Sequence, residues 1–193
     1  PIKVNLTDKE SKKRSLANNA EDKYRILGEI LDELKEKHKG DVDHLIIFCS
    51  KNQLSRVCDI LEKKQVKPKH EFTYRQSLKE RKALLRKFDL GTCKVLVAMR
   101  CLNEGVDVPS TDKVIIMSSS PNPAEYIQRR GRVLRRNPGK KQADIYDLII
   151  IPDERNSNLN EFLEKENGRL IEFVSTACNS DECIETLTDW GLI

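Results

Sequence analysis

The residues with most to offer chemically lie in Gln128-Arg129-Arg130-Gly131-Arg132-Val133-Leu134-Arg135-Arg136. A helix is predicted to start at Pro121 or Pro123 and to run to about Arg135. Arg132 and Arg135 then share one helix face. Two guanidinium forks on one face suit a polyphosphate, because each fork matches a pair of phosphate oxygens. Gly131 removes a side chain where a ligand must approach closely, at a helix cost of about 1 kcal/mol relative to Ala. Seven bases and no acid lie between Arg129 and Lys141, a cluster that attracts the phosphate of a nucleotide or of nucleic acid. The competing reading is a plain solvated basic helix.

A second candidate lies upstream, in Asn103-Glu104-Gly105-Val106-Asp107-Val108-Pro109. Gly105 allows close backbone approach. Asp107, two residues on, offers a carboxylate to a hydroxyl-bearing ligand such as a ribose. Gly-x-Asp is also common in turns, so a turn or helix cap is the alternative for Asp107.

The elements that must position these residues follow from hydrophobic periodicity. Leu45–Cys49, Lys94–Ala98 and Lys113–Met117 are short apolar runs, and Asp144–Ile151 is another strand candidate. Continuous rather than alternating apolarity predicts strands buried on both faces. Helices are predicted over Glu21–His38, Asn52–Lys64 and Ser77–Phe88, the last with a Ser77/Glu80 capping box and Gly91 as its stop. A short strand is expected at Phe72–Tyr74. Two further helices are expected at about Leu159–Ser175 and Asp181–Asp189. Alternating strands and helices imply an α/β fold, a parallel sheet sandwiched between helices. Ligands in such sheets bind at the carboxyl ends of the strands.

Composition narrows the classes. The chain has 193 residues, 38% hydrophobic and 34% charged, which excludes charge-only disorder. No apolar run approaches the roughly 20 residues of a membrane-spanning helix. No secretory signal opens the chain, and a cytoplasmic or nucleoid-associated location is expected. The start at Pro1 suggests a piece excised from something longer. The net charge of +4 conceals two halves. Residues 153–193 hold ten acids and three bases, and the preceding 152 hold 32 bases and 21 acids. None of the six cysteines sits in a C-x-x-C pair, so structural thiols are expected and no metal site. Cys178 and Cys183 have the better case for metal or redox chemistry. Trp190 reads as a packing anchor.

Taken together, these segments resemble the second RecA-like domain of superfamily 2 helicases and translocases, over about Glu21 to Ile151. LIIFCSKNQ (Leu45–Gln53) resembles motif IV, and SLKERKALLRKFDLGTCKVLVA (Ser77–Ala98) the stretch leading into motif V. NEGVDVP (Asn103–Pro109) resembles motif V, and QRRGRVLR (Gln128–Arg135) matches the motif VI pattern Q-x-x-G-R-x-x-R. The motif V form is similar to XPB-type repair helicases and to restriction-enzyme helicase subunits. Motif VI opens on Gln128, where the RNA-dependent DEAD-box group usually has His, and this favours DNA over RNA.

The resemblance implies a RecA-like fold, related to P-loop nucleoside triphosphatases, over residues 21–152. A linker is expected at 1–20 and an acidic helical extension at 153–193. It implies that Arg132 and Arg135 are arginine fingers reaching a nucleotide from across a cleft, with Gln128 facing that cleft. Gly105 and Asp107 would contact the nucleotide's ribose. Ser50, Lys51 and Arg100 would touch the nucleic-acid backbone. Met99 departs from the family, which often has a phosphate-binding Thr there, so that contact is lost or passes to Arg100. The implied cofactors are ATP and Mg²⁺, and the implied partners an N-terminal RecA-like domain and nucleic acid. Fingers of this kind accelerate phosphoryl transfer by about 10³ to 10⁵. A docking module that kept the fold without the motor is the alternative.

A P-loop needs G-x-x-x-x-G-K-[ST]. Of the eight glycines only Gly139 precedes a Lys, and Leu134 stands where the first glycine belongs. No acid pair suited to Mg²⁺ follows a predicted strand. The isolated chain is therefore expected to show no measurable ATP hydrolysis in a steady-state phosphate-release assay. Robust turnover would contradict the expectation.

Overall fold

The computed structural model describes residues 2–3, 20–67, 69–73, 75–99, 110–118, 142–151, 168, 170–171, 174–175 and 177–189. Five parallel strands form the main sheet in the order β3-β4-β2-β5-β6. They are β2 (Leu45–Phe48), β3 (Lys69–Phe72), β4 (Val95–Ala98), β5 (Lys113–Ile116) and β6 (Asp144–Asp147). β1 (Ile2–Lys3) and β7 (Ile150–Ile151) form a separate two-stranded parallel pair. The helices are α1 (Glu21–Lys37), α2 (Leu54–Lys63), α3 (Leu78–Asp89) and α4 (Ser180–Asp189).

The three central strands are buried at every position. Each is four residues long and rich in β-branched or aliphatic side chains, which pack well on a pleated surface covered on both sides. Their pairing is level: Leu45 lies opposite Val95 on one side and Lys113 on the other. α1 buries Tyr24, Leu27, Ile30, Leu31 and Leu34 against the sheet, a stripe at helical spacing. α2 buries Val57 and Leu61 beside it. Phe72 and Phe88, both fully buried, close the far side of the core.

Local chemistry sets the ends. Glu21 and Asp22 in the first turn of α1 complement its dipole. At α3 the Ser77 hydroxyl accepts from Glu80 N–H at 3.3 Å, and Glu80 accepts from Ser77 N–H at 2.7 Å. The predicted capping box is present. Gly91, at a φ of +70°, turns the chain out of that helix into β4.

At the amino-terminal edge of the sheet, Lys113 is almost fully buried and held by carboxylates. Its Nζ lies 2.8 Å from Asp112 Oδ1 and 3.4 Å from Asp43 Oδ1. Burial pushes the Asp43 carboxyl upward, but Lys113 and His44 together outweigh it and hold the group below its usual range. Lys37 pairs with Asp144 at 2.8 Å, tying α1 to β6.

Three expectations shift. The strand expected at Phe72–Tyr74 lies instead at Lys69–Phe72, because its ladder with β4 ends where Phe72 meets Ala98. The next N–H, that of Thr73, is taken by the Gln76 side chain at 3.0 Å. The run Asp144–Ile151 divides into β6 and β7. Leu148 N–H still bonds Ile116 O at 3.1 Å, but β5 ends there and offers no further ladder. Ile2–Lys3, inside the segment expected as a linker, pairs with β7. The helix expected from Pro121 or Pro123 lies outside the described residues. Of the acidic extension, α4 is described, and residues 168, 170, 171 and 174, within the helix expected at Leu159–Ser175, are helical, the rest of that span up to residue 173 lying outside the described residues; Ile149, Leu170 and Leu187 form a small apolar cluster.

Replacing Ser77 with Ala removes the N-cap acceptor of α3 and is expected to cost about 1 kcal/mol. Urea denaturation of the purified chain measures this. An unchanged midpoint would show that the cap does not contribute.

Candidate nucleic-acid and nucleotide interface

All five strands of the main sheet run the same way, so their carboxyl ends form one edge. Backbone bonds continue one residue beyond each central strand. Cys49 N–H reaches Ala98 O at 3.1 Å, Met99 N–H reaches Phe72 O at 3.1 Å, and Met117 N–H reaches Phe48 O at 2.8 Å. Thr73, Met99, Ser50 and Ser118 therefore leave the sheet at nearly one level. α1 runs antiparallel to β2, so its first turn also lies at this edge.

Of the predicted site residues, Ser50 and Lys51 are described. Ser50 is half-buried, and its Oγ is buried with no hydrogen-bond partner among the described residues. Its N–H donates to Gln53 Oε1 at 2.8 Å, and its carbonyl accepts from Gln53 N–H at 3.1 Å. Those two bonds fix a tight turn that presents Lys51 to solvent, where it is exposed and makes no ion pair with a described residue. Arg100, Gly105, Asp107, Gln128, Arg132 and Arg135 lie outside the described residues. Met99 is buried at 6% exposure, its side chain packed in the core.

Several polar residues at this edge were not singled out from the sequence. Gln53 is fully buried and braces the turn after β2. Gln76 does the same after β3, its Oε1 accepting from Thr73 N–H and its Nε2 donating to Glu71 O at 2.8 Å. The available signal was a shared spacing: a polar residue at the strand end with Gln three positions later. Lys23 is 3% exposed and donates from Nζ to Met117 O at 2.7 Å. Helical periodicity could not flag it, because it is a lysine on a buried face. Arg81, half-buried in the first turns of α3, has no partner for its Nε among the described residues. Lys79, Lys82, Arg86 and Lys87 on the same helix form no ion pair with a described residue. Only two acids on this helix stand against its five bases: Glu80, in the capping box, and Asp89, bonded by Ser110 Oγ at 2.5 Å. This part of the surface carries an uncompensated positive charge.

Cys49 and Cys93 are not poised for reaction. Burial pushes Cys49 up to about 12 and Cys93 up to about 11, so both stay protonated at neutral pH. Cys58 and Cys183 are also raised by burial. Cys49, Cys58, Cys93, Cys178 and Cys183 are free. Among the described residues no cluster of three or more His, Cys, Asp and Glu side chains is placed to hold a metal ion.

Comparison with known proteins supplies the wider frame. A DNA 3'-5' translocase, XPB2, of Sulfurisphaera tokodaii is 29% identical over 156 residues, covering 77% of this chain and 33% of the relative. An ATP-dependent RNA helicase, dbp8, of Aspergillus niger is 30% identical over 130 residues, covering 66% of this chain and 23% of the relative. The solved C-terminal domain of the DEAD-box protein Dbp5 has the same fold, with a TM-score of 0.56 at 22% identity, covering 86% of this chain and 84% of that one. The chain thus spans a third or less of these two curated relatives, and most of a helicase domain solved by itself. The family model described as the helicase conserved C-terminal domain matches residues 22–137, more than half of the chain. The chain belongs to that family, and its fold is that of a RecA-like helicase C-terminal domain.

Proposed function

We infer that this domain is one half of an ATP-dependent helicase or translocase that moves on DNA. The observation that carries the nucleic-acid part is the Ser50 turn. A buried hydroxyl without a partner forfeits about 1–3 kcal/mol of desolvation. On this reading a phosphate oxygen at the strand end accepts a hydrogen bond from that hydroxyl. Lys51 adds an exposed ammonium at the same turn. The brace from Gln53 leaves the turn little freedom, so the phosphate meets a site already shaped.

The nucleotide part rests on residue type and spacing. Arg132 and Arg135 supply two guanidinium groups to the γ-phosphate of an ATP held by an N-terminal RecA-like domain. Their charge matches what develops on the transferring oxygens. Gln128 faces the same cleft, and Gly105 with Asp107 holds the ribose. The absence of a P-loop motif from these residues supports a split site, with ATP and Mg²⁺ held by the other half. The family includes proteins named for DNA and for RNA. The preference for DNA rests on Gln128 opening motif VI. A role in DNA repair or restriction is the corresponding biological proposal.

In a protein carrying both halves, Arg135→Ala is expected to lower ATP turnover by about 10³ or more while sparing oligonucleotide binding. Unchanged turnover would remove Arg135 from the motor. At the track, Ser50→Ala is expected to raise the Kd for a single-stranded oligonucleotide about tenfold, as loss of a bond to a charged group does. Lys51→Ala is expected to reduce the slope of log K against log salt by about one. Fluorescence anisotropy at several salt concentrations reads both, and deoxy- against ribo-oligonucleotides of one sequence test the preference for DNA.

A further inference from the structure

Two helices at opposite edges of the sheet present outer faces of opposite charge. The inward side of α3 is Leu85 and Phe88, both buried. Its outward side carries Lys79, Lys82, Ala83, Arg86 and Leu90 at helical steps, all exposed. Ala83 sits at the centre of this stripe, one turn from Lys79 and one from Arg86. On α4 the inward residue is Leu187, and the outward side carries Asp181, Ile184, Glu185 and Thr188 at the same steps, all exposed. Ile184 is 44% exposed and Leu90 78%. Neither the bases of the first stripe nor the acids of the second form an ion pair with a described residue.

These faces do not meet within one molecule. α3 packs beside β3, the strand at one edge of the main sheet. α4 is anchored through Leu187 to Ile149, just past β6 at the other edge. Four strand spacings, about 19 Å, separate those edges. The stripe on α3 also runs the length of its helix. Because α3 is antiparallel to β4, Arg86 and Leu90 lie toward the amino-terminal rim, away from the Ser50 turn. A row of phosphates would account for the bases but not for an exposed leucine or for a small residue at the centre. A second helix accounts for all of them.

We propose that the outer face of α3 docks the outer face of α4 from a second copy of this chain. Ile184 seats over Ala83, whose small side chain lets the two helices approach. Asp181 and Glu185, flanking Ile184, pair with Lys79, Lys82 and Arg86. The charged rim shields the apolar contact from water. The ten residues of α4 span about 15 Å, within the roughly 16 Å from Lys79 to Leu90. The contact joins unlike faces, so each copy keeps one face open and copies add head to tail. Charge supplies most of the attraction, so the association weakens as salt rises.

The test is sedimentation equilibrium of this chain over a range of concentrations and salt. At about 0.5 mM chain and about 20 mM salt the weight-average mass is expected to reach about twice that of the monomer, and to return to the monomer's at about 0.5 M salt. Two neutralised variants are prepared: Lys79→Gln with Lys82→Gln and Arg86→Gln, and Asp181→Asn with Glu185→Gln. These side chains are exposed, so the far-ultraviolet circular dichroism of both is expected to match the parent's. Each variant alone is expected to stay monomeric, because it lacks one face. Mixed, they are expected to form a one-to-one pair that grows no further, because a single pair of intact faces remains. A parent that stays monomeric at low salt, association that survives either set of substitutions, or a mixture that stays monomeric would overturn the proposal. So would weakened oligonucleotide binding by the α3 variant with self-association unchanged, which would assign that face to nucleic acid.

Discussion

Everything at the candidate interface depends on the level register of three short buried strands. Leu45, Val95 and Lys113 lie abreast, and each strand runs four residues to Phe48, Ala98 and Ile116. Apolar side chains on both faces lock that register, since sliding one strand by a residue would turn its side chains to the opposite face. Because the ends are level, one more backbone bond on each side carries Cys49, Met99 and Met117 to the same height. Residues from distant parts of the sequence then emerge together. The two rims of the sheet are finished differently. Ion pairs secure the amino-terminal rim through Lys113, while side-chain amides brace turns at the carboxyl-terminal one.

Most of the framework was legible because its signals are local. Four-residue apolar runs marked β2, β4 and β5, and the Ser77/Glu80 pair marked the start of α3 within a residue. The edge strands were harder. β3 reads Lys-His-Glu-Phe and carries almost no apolar signal, so its position is set by pairing with β4 rather than by its own composition. β6 and β7 looked like one strand because Leu148 and Ile149 continue the apolar run. Only the length of β5 shows where the ladder stops.

The site divides the same way. Ser50 and Lys51 were readable as residues just past a buried strand, and the structure places them there. Gln53, Gln76 and Lys23 were not, since their roles consist of bonds to backbone atoms. Such bonds join Lys23 to Met117, 94 positions apart, and no periodicity encodes a partner at that distance. Arg132 and Arg135 stand out by spacing alone. Both lie outside the described residues, so their shared face rests on the helical spacing expected from the sequence.

The weak apolar signal of the edge strands has a consequence of its own. A sheet exposes unpaired N–H and C=O groups along each outer strand, a template on which another chain can add a strand. Here the outer strands are guarded by charge. Lys69 of β3 is held by Glu62 at 2.7 Å, and Asp144 of β6 by Lys37 at 2.8 Å. A second copy approaching either edge would have to desolvate those groups before gaining a ladder bond. The charged residue that helped make β3 hard to recognise, Lys69, is thus one of those that discourage edge-to-edge aggregation.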